Sequence, residues 1–276
     1  MSFKNLGLSD ELLNTIQKEG YSEATPVQER AIPLINKGMD ILAGAQTGTG
    51  KTAAFALPIL NRLQKFNSKK RKVRALILTP TRELAAQVNN SFRTYGIALP
   101  FKTIEIFGGV SMRPQKSKLK KGVDIVVATP GRLLDHLSQN TIDLSGVEVF
   151  VLDEADRMLD MGFKRDIEKV IKQLPERRQN LLFSATFPKE IQKLASRLLN
   201  SPKKIQVASE NSTAEKVKQT VYPVDQSRKR DLLIHSIKEN NWFQVLVFIK
   251  TKRAADKLTR QLNKKGILSD TIHGNK

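Results

Sequence analysis

The chain has 276 residues, a formal net charge of +20 and no cysteine. At 39% hydrophobic residues it can bury a full core, and the missing thiols exclude disulfides and cysteine-based metal sites. No apolar run is long enough to span a bilayer and Met1-Ser2-Phe3-Lys4 opens no signal peptide, so a cytoplasmic protein with no membrane partner is expected. From Ser201 onward, 16 Lys and Arg stand against 7 Asp and Glu, a net +9 that leaves +11 for the first 200 residues. The positive charge is therefore not confined to a tail. It points to a polyanionic partner without choosing between RNA, DNA and acidic lipid.

In chain order, a helix is expected near 9–18, and Thr25-Pro26-Val27-Gln28 reads as a second helix start with Pro at an early position. A strand over 40–44 leads into Ala45-Gln46-Thr47-Gly48-Thr49-Gly50-Lys51-Thr52, and a helix follows near 51–64. Strand, glycine-spaced loop and helix form the context of a phosphate site. Backbone N–H groups freed by Gly48 and Gly50, with a helix N-terminus, make a concave anion trap. Lys51 can reach the β- and γ-phosphates, and the Thr52 hydroxyl can ligate Mg²⁺.

Further strands are expected over 75–79, 103–107, 124–128, 147–152 and 180–184, alternating with helices near 82–95, 131–139, 164–173 and 189–199. That alternation argues an α/β fold, a parallel sheet with helices on both faces. Asp153 closes the run Val147 to Leu152. Because ligands bind beyond the carboxyl ends of such strands, Asp153 should converge with the phosphate loop, holding Mg²⁺ while Glu154 orients or deprotonates an attacking water. Thr81-Arg82 and Thr129-Pro130-Gly131-Arg132 place hydroxyls and arginines at strand-to-helix junctions. Such groups suit single-strand backbone phosphates, and Gly108-Gly109 permits close approach. Arg113, Lys116, Lys118, Lys120 and Lys121 suit either further phosphate contacts or a solvated face. His136, His235 and His273 show no ligand spacing and read as surface or boundary residues, and Trp242 as a partly buried packing residue.

Residues 208–216 are small and polar and read as a linker. A second βαβ pattern follows, with strands at 217–224 and Val245 to Ile249, a helix near 228–239 between them and another helix to Lys265. It is too short to finish a sheet covered on both faces, so the expected organisation is a domain over 1–207, a linker over 208–216 and an incomplete domain over 217–276.

Asp153-Glu154-Ala155-Asp156 at a strand end, with the Ala45–Thr52 loop upstream, resembles the DEAD-box RNA helicases. The stretch from PheLysAsnLeuGlyLeu at Phe3 to the closing ThrIleHisGlyAsnLys is similar to their bacterial RhlE-type branch. The resemblance implies two RecA-like P-loop NTPase domains, the second incomplete, that use ATP and Mg²⁺. It implies a nucleotide site of Phe3, Tyr21, Gln28, Ala45, Thr47, Gly48, Thr49, Gly50, Lys51 and Thr52. In it Gln28 reads adenine and Phe3 or Tyr21 stacks on the base; Lys51, Asp153 and Glu154 are catalytic, and Thr52 and Asp153 hold the metal. Arg82, Gly109, Thr129 and Arg132 grip RNA without reading sequence, and Asp156, Ser184 and Thr186 couple the site to domain closure. The implied partners are single-stranded or short duplex RNA and ribonucleoprotein or ribosome-assembly particles. The later motifs of the second domain, including the arginine fingers, are absent from these 276 residues, so ATP binding should survive while RNA-stimulated hydrolysis and unwinding are impaired. Two rivals stand beside a helicase: a non-catalytic ATP- and RNA-binding fragment, and a DNA-directed P-loop motor.

Overall fold

Seven parallel strands, ordered β3-β4-β2-β5-β6-β1-β7, organise the first of two units in the computed structural model, which describes residues 2–46, 48–64, 71–206, 218 and 220–274. The units are Met1–Ser212 and Thr213–Lys276. The expected linker at 208–216 lies outside the described residues. The first unit opens with a short 3-10 turn, Phe3–Leu6. Its elements then run α1 (Asp10–Lys18), α2 (Pro26–Asn36), β1 (Ile41–Gly44), α3 (Lys51–Gln64), β2 (Ala75–Leu78), α4 (Arg82–Tyr95), β3 (Thr103–Ile106) and α5 (Met112–Lys120). After these come β4 (Ile125–Ala128), α6 (Pro130–Ser138), β5 (Val149–Leu152), α7 (Ala155–Asp160), α8 (Lys164–Ile171), β6 (Gln179–Ser184), α9 (Lys189–Leu198) and β7 (Lys203–Gln206).

The two-residue period of the strands divides their side chains between two cores. Ile41, Ala43, Ile77, Val149, Val151, Leu181 and Phe183 join the core that carries Leu12, Ile32, Phe55 and Phe92 of α1 to α4. Leu76, Leu78, Val126, Phe150, Leu152 and Leu182 face the other way, onto Leu133, Met158, Ile167, Val170 and Ile191 of α6 to α9. Strands covered on both faces have no polar side to show, which is why they read as continuous apolar runs. The six expected strands form within one or two residues of their expected bounds. The seventh, β7, has Ile205 as its one buried side chain. A short edge strand of that kind leaves no apolar pattern.

At the amino ends of β1 and β6 the buried Asp40 carboxylate accepts hydrogen bonds from the backbone N–H of Asn180 (2.8 Å) and Asn200 (2.8 Å), and from Asn180 Nδ2 (3.3 Å). It ties β1 to its neighbour and to the turn that starts β7. His136 is fully buried rather than a surface or boundary residue, because α6 carries it inward beside Leu133 where Gln115 and Thr141 satisfy both ring nitrogens. Among the described residues no helix is long and apolar enough to cross a membrane.

The second unit holds a short 3-10 turn (Gln226–Arg228), α10 (Lys229–Glu239) and α11 (Lys252–Lys264), the latter capped by Thr251 Oγ1, which accepts from the Ala254 N–H at 3.2 Å. The strands expected at 217–224 and Val245 to Ile249 do not form among the described residues there. A strand exists only by pairing, and among the described residues these segments pair with no neighbour; Val221, Leu246 and Phe248 are exposed. Trp242 is 48% exposed, less packed than expected.

Replacing Asp40 with Ala strands two buried backbone donors and should cost the first unit about 2–4 kcal/mol. The denaturation midpoint of Asp40→Ala, followed on that unit's transition, checks this; an unchanged midpoint contradicts it.

Candidate nucleotide site and nucleic-acid face

The phosphate loop leaves β1 at Gly44 and enters α3 at Lys51. Thr47 lies outside the described residues. Ala45 is buried, and its N–H donates to the Ser184 carbonyl (3.2 Å), fixing the start of the loop on β6. Thr49 Oγ1 donates to the Gln46 carbonyl (2.7 Å) and closes the turn. Gly50 has a φ of +91°, in the left-handed region, and a Cβ there would stand 2.4 Å from Gln28 Nε2, so both backbone and space demand glycine. Gly48, at φ +84°, faces open space.

Gln28 lies within this loop's support. It is 1% exposed; its Oε1 accepts from the Thr25 N–H (2.9 Å) as part of the capping box of α2, and its Nε2 donates to the Gly50 carbonyl (3.1 Å). The Thr-x-x-Gln spacing is the signal for that box. Of the two aromatic candidates, Phe3 is 4% exposed, with its ring edge-on to Tyr21 at 6.2 Å. Tyr21 is 36% exposed and held by a 2.8 Å hydrogen bond between its hydroxyl and that of Tyr95, so it is the ring with a surface to offer a base.

Lys51 is 6% exposed, and its ammonium has no hydrogen-bond partner among the described residues. Asp153, at the end of β5, is 2% exposed, and its Oδ1 is equally unpartnered. Burial pushes the Asp153 carboxyl up to about 6 against the opposing pull of the Lys51 charge. A buried cation without a hydrogen bond and a buried carboxylate with one oxygen unpartnered are costly to keep. A triphosphate and a divalent cation would supply what each lacks. Thr52, in the first turn of α3, is partly buried. The donor set therefore fits Mg²⁺-nucleotide.

Glu154 takes up a left-handed backbone (φ 53°, ψ 52°) at the N-cap of α7, and its carboxylate lies 3.2 Å from Arg157. A non-glycine residue in that region costs on the order of 1–3 kcal/mol and is found where function holds it. Two residues on, Asp156 Oδ2 accepts from the N–H groups of Ala185 (3.1 Å) and Thr186 (2.9 Å) and from Thr186 Oγ1 (2.9 Å). Ser184 Oγ donates to the Thr186 carbonyl (2.7 Å). Since β6 lies between β5 and β1, the Ser184–Thr186 corner joins the acidic strand end to the phosphate loop. The link through Ala45 has no signal in the sequence, because any residue can supply a backbone N–H.

The other predicted cluster gathers at the carboxyl ends of the neighbouring strands β3, β4 and β2. Arg82 begins α4 under a Thr81 cap and is exposed, 2.6 Å from the Glu83 carboxylate. Gly109 has a φ of +79°, and a Cβ there would lie 3.7 Å from the Arg82 guanidinium. Arg132 of α6 donates from Nη1 to the Val110 carbonyl (2.9 Å) and lies 3.3 Å from Asp135. Thr129 is the N-cap of α6, with no side-chain cap bond of its own. The arginines and the glycine thus line one surface, with Thr129 at the head of the helix that bears Arg132. Arg113, Lys118, Lys120 and Lys121 are exposed on or just after α5, and Lys118 lies 3.7 Å from Glu105.

A sequence profile described as DEAD/DEAH box helicase matches residues 25–194. The chain is 41% identical over 272 residues to an ATP-dependent RNA helicase CshA of Listeria monocytogenes, covering 99% of this chain and 52% of that protein. It is 41% identical over 273 residues to a DEAD-box ATP-dependent RNA helicase RhpA of Helicobacter pylori, covering 99% and 55%. The crystal structure of a DEAD box protein from the hyperthermophile Methanococcus jannaschii superimposes with a TM-score of 0.71 at 38% identity, over 100% of this chain and 74% of that one. The seven-stranded parallel sheet is thus of the RecA-like kind. The chain spans about half the length of the curated relatives it matches.

Asp153 gives a pH test of the buried charge. Its folded pKa of about 6 lies above its ordinary value of 3.8, so the stability it lends is present below pH 4 and lost as pH rises through 6. Asp153→Asn should therefore raise the stability of the nucleotide-free chain by ~1–3 kcal/mol at pH 7, a gain that fades towards pH 4. Thermal melts of both proteins across that range check it; a pH-independent difference contradicts it.

Proposed function

We propose that this chain, which belongs to the DEAD/DEAH box helicase family, is part of an ATP-dependent RNA helicase of the RhlE-type branch that couples ATP binding and hydrolysis to local RNA unwinding or ribonucleoprotein remodelling in the cytoplasm. The observation that carries this is the buried Lys51 ammonium and the buried Asp153 Oδ1, both without a hydrogen-bond partner among the described residues, beside a glycine loop with Glu154 next in the chain. Thr52 and Asp153 would hold Mg²⁺, which when bound neutralises charge on the β- and γ-phosphates. Lys51 stabilises the charge that develops on the transferred phosphoryl group, and Glu154 orients or deprotonates the attacking water. Tyr21 stacks on adenine, and Gln28 reads its edge from a position that also braces Gly50.

Arg82, Gly109, Thr129 and Arg132 hold the sugar–phosphate backbone of one strand. They offer charge, backbone amides and hydroxyls, which carry position and not sequence. The net charge of +20 favours such a partner. Asp156, Ser184 and Thr186 bridge the acidic strand end to the phosphate loop, so a change at either side is felt at the other. The reading assigns 1–207 to the ATP-binding domain and 217–276 to the start of a second RecA-like domain.

The test is ATP turnover with single-stranded RNA, with single-stranded DNA of the same length and without nucleic acid, against a Glu154→Gln blank. Weak turnover that RNA raises and DNA does not, and that Glu154→Gln abolishes, is expected of these 276 residues, since they carry no arginine-finger motif. Stimulation by DNA alone would point to a DNA motor. Binding of both ligands with no turnover above the blank would make these residues a binding module.

A further inference from the structure

Gly108 and Gly109 carry no side chains, yet the loop they form is fastened at both ends to α6. After the glycines, Arg132 Nη1 donates to the Val110 carbonyl at 2.9 Å. Before them, the Phe107 carbonyl accepts from Gln115 Nε2 of α5 at 3.0 Å. With its nitrogen spent there, Gln115 turns its Oε1 to His136 Nε2 of α6, 3.1 Å away. An amide oxygen can only accept, so His136 Nε2 carries a proton. Its Nδ1 stands 2.7 Å from Thr141 Oγ1, whose single proton also has the His136 carbonyl within reach at 3.0 Å.

Two directed bonds therefore run from His136 to Gln115 and from Gln115 to the Phe107 carbonyl. Both links between α5 and α6 are buried: His136 is 0% and Gln115 7% exposed. The surroundings of the ring favour its neutral form. Burial is the largest influence and holds its pKa below the ordinary histidine value; Arg132 on the same helix and Lys116 on α5 act in the same direction, and Asp135 opposes them.

We propose that Gln115 and His136 are positioning residues for RNA binding, holding the Gly108–Gly109 loop in register with Arg132. The proposal rests on the RNA-backbone role assigned above to Gly109 and Arg132. Helix α6 thus sets both halves of one phosphate-binding surface. Arg132 does so directly, and His136 does so through Gln115. Neither relay residue faces the surface, and neither touches the nucleotide loop.

The experiment is equilibrium binding of a labelled single-stranded oligouridylate, with ATP affinity measured in parallel. Gln115→Met keeps the side chain's length and removes both bonds; His136→Leu breaks the relay one step earlier. Each should weaken RNA binding about five- to tenfold, the effect of one or two lost buried hydrogen bonds, with ATP affinity unchanged. His136→Gln can still donate to Gln115 and should restore most of the loss. Because both fastenings act on one loop, Gln115→Met added to Arg132→Ala should cost less than the two separately. If His136→Leu does not fold, the Gly108 and Gly109 amide resonances of Gln115→Met decide the matter: displaced resonances are expected, and unchanged ones overturn the proposal. Equal losses of RNA and ATP affinity would mean general damage to packing and would also overturn it. If Arg82→Ala and Arg132→Ala weaken RNA binding while Gln115→Met and His136→Leu do not, the relay fails and the RNA face stands. If none of the four weakens it, the RNA-face reading itself falls.

Discussion

Two buried charges short of hydrogen bonds, the unpartnered Lys51 ammonium and the Asp153 carboxylate with its Oδ1 unpartnered, are the constraint around which the first unit is built. Neither would persist in a fold selected for stability alone, since each forfeits solvation that their mutual attraction and the Glu154 N–H on Asp153 return only in part. The sheet supplies the means to hold them. Two apolar cores, one on each face, fix β1 and β5 so firmly that the residues after their carboxyl ends have little freedom to seek better partners. The left-handed backbone at Glu154 is a second cost of the same kind, next in sequence to the first. The unit therefore carries its unfavourable terms at one end of the sheet and its favourable ones in the middle.

The same end holds a second, softer surface. At β3, β4 and β2 the groups are the exposed Arg82, the largely covered Arg132 bonded to the Val110 carbonyl, a hydroxyl and a glycine turn. A surface of that sort suits a ligand that must be held and released along its length, as a nucleic-acid backbone is. Between the two surfaces, the Ser184–Thr186 corner is hydrogen-bonded to Asp156 and, through Ala45, to the phosphate loop. On the proposed reading, a change in how the loop is filled reaches the acidic strand end through these few short bonds.

Much of this was legible in the chain. Strands buried on both faces announce themselves as apolar runs, and the glycine spacing with Lys51 marks the loop whatever its surroundings. What escaped was whatever depends on partners distant in sequence. Ile205 alone could not signal β7, which exists because β1 offers it an edge. The apolar runs around Val221 and Val245 to Ile249 promised strands, yet among the described residues they pair with no neighbour, the same rule with the opposite result. His136 looked like a boundary residue because one histidine says nothing of the Gln115 and Thr141 that satisfy it. Gln28 was read for a ligand, and its brace on Gly50 was invisible because a carbonyl has no sequence signature.

The measurement that tests the central claim most directly is calorimetric titration of ATP into the chain with and without Mg²⁺, beside Lys51→Ala and Asp153→Asn. If the two buried charges are kept for a metal-bound triphosphate, ATP binds in the presence of Mg²⁺, loses at least about tenfold in affinity without it, and loses a similar factor in each variant. Binding that is indifferent to Mg²⁺ and to both substitutions would contradict the account, because the charges would then be buried for no ligand at all.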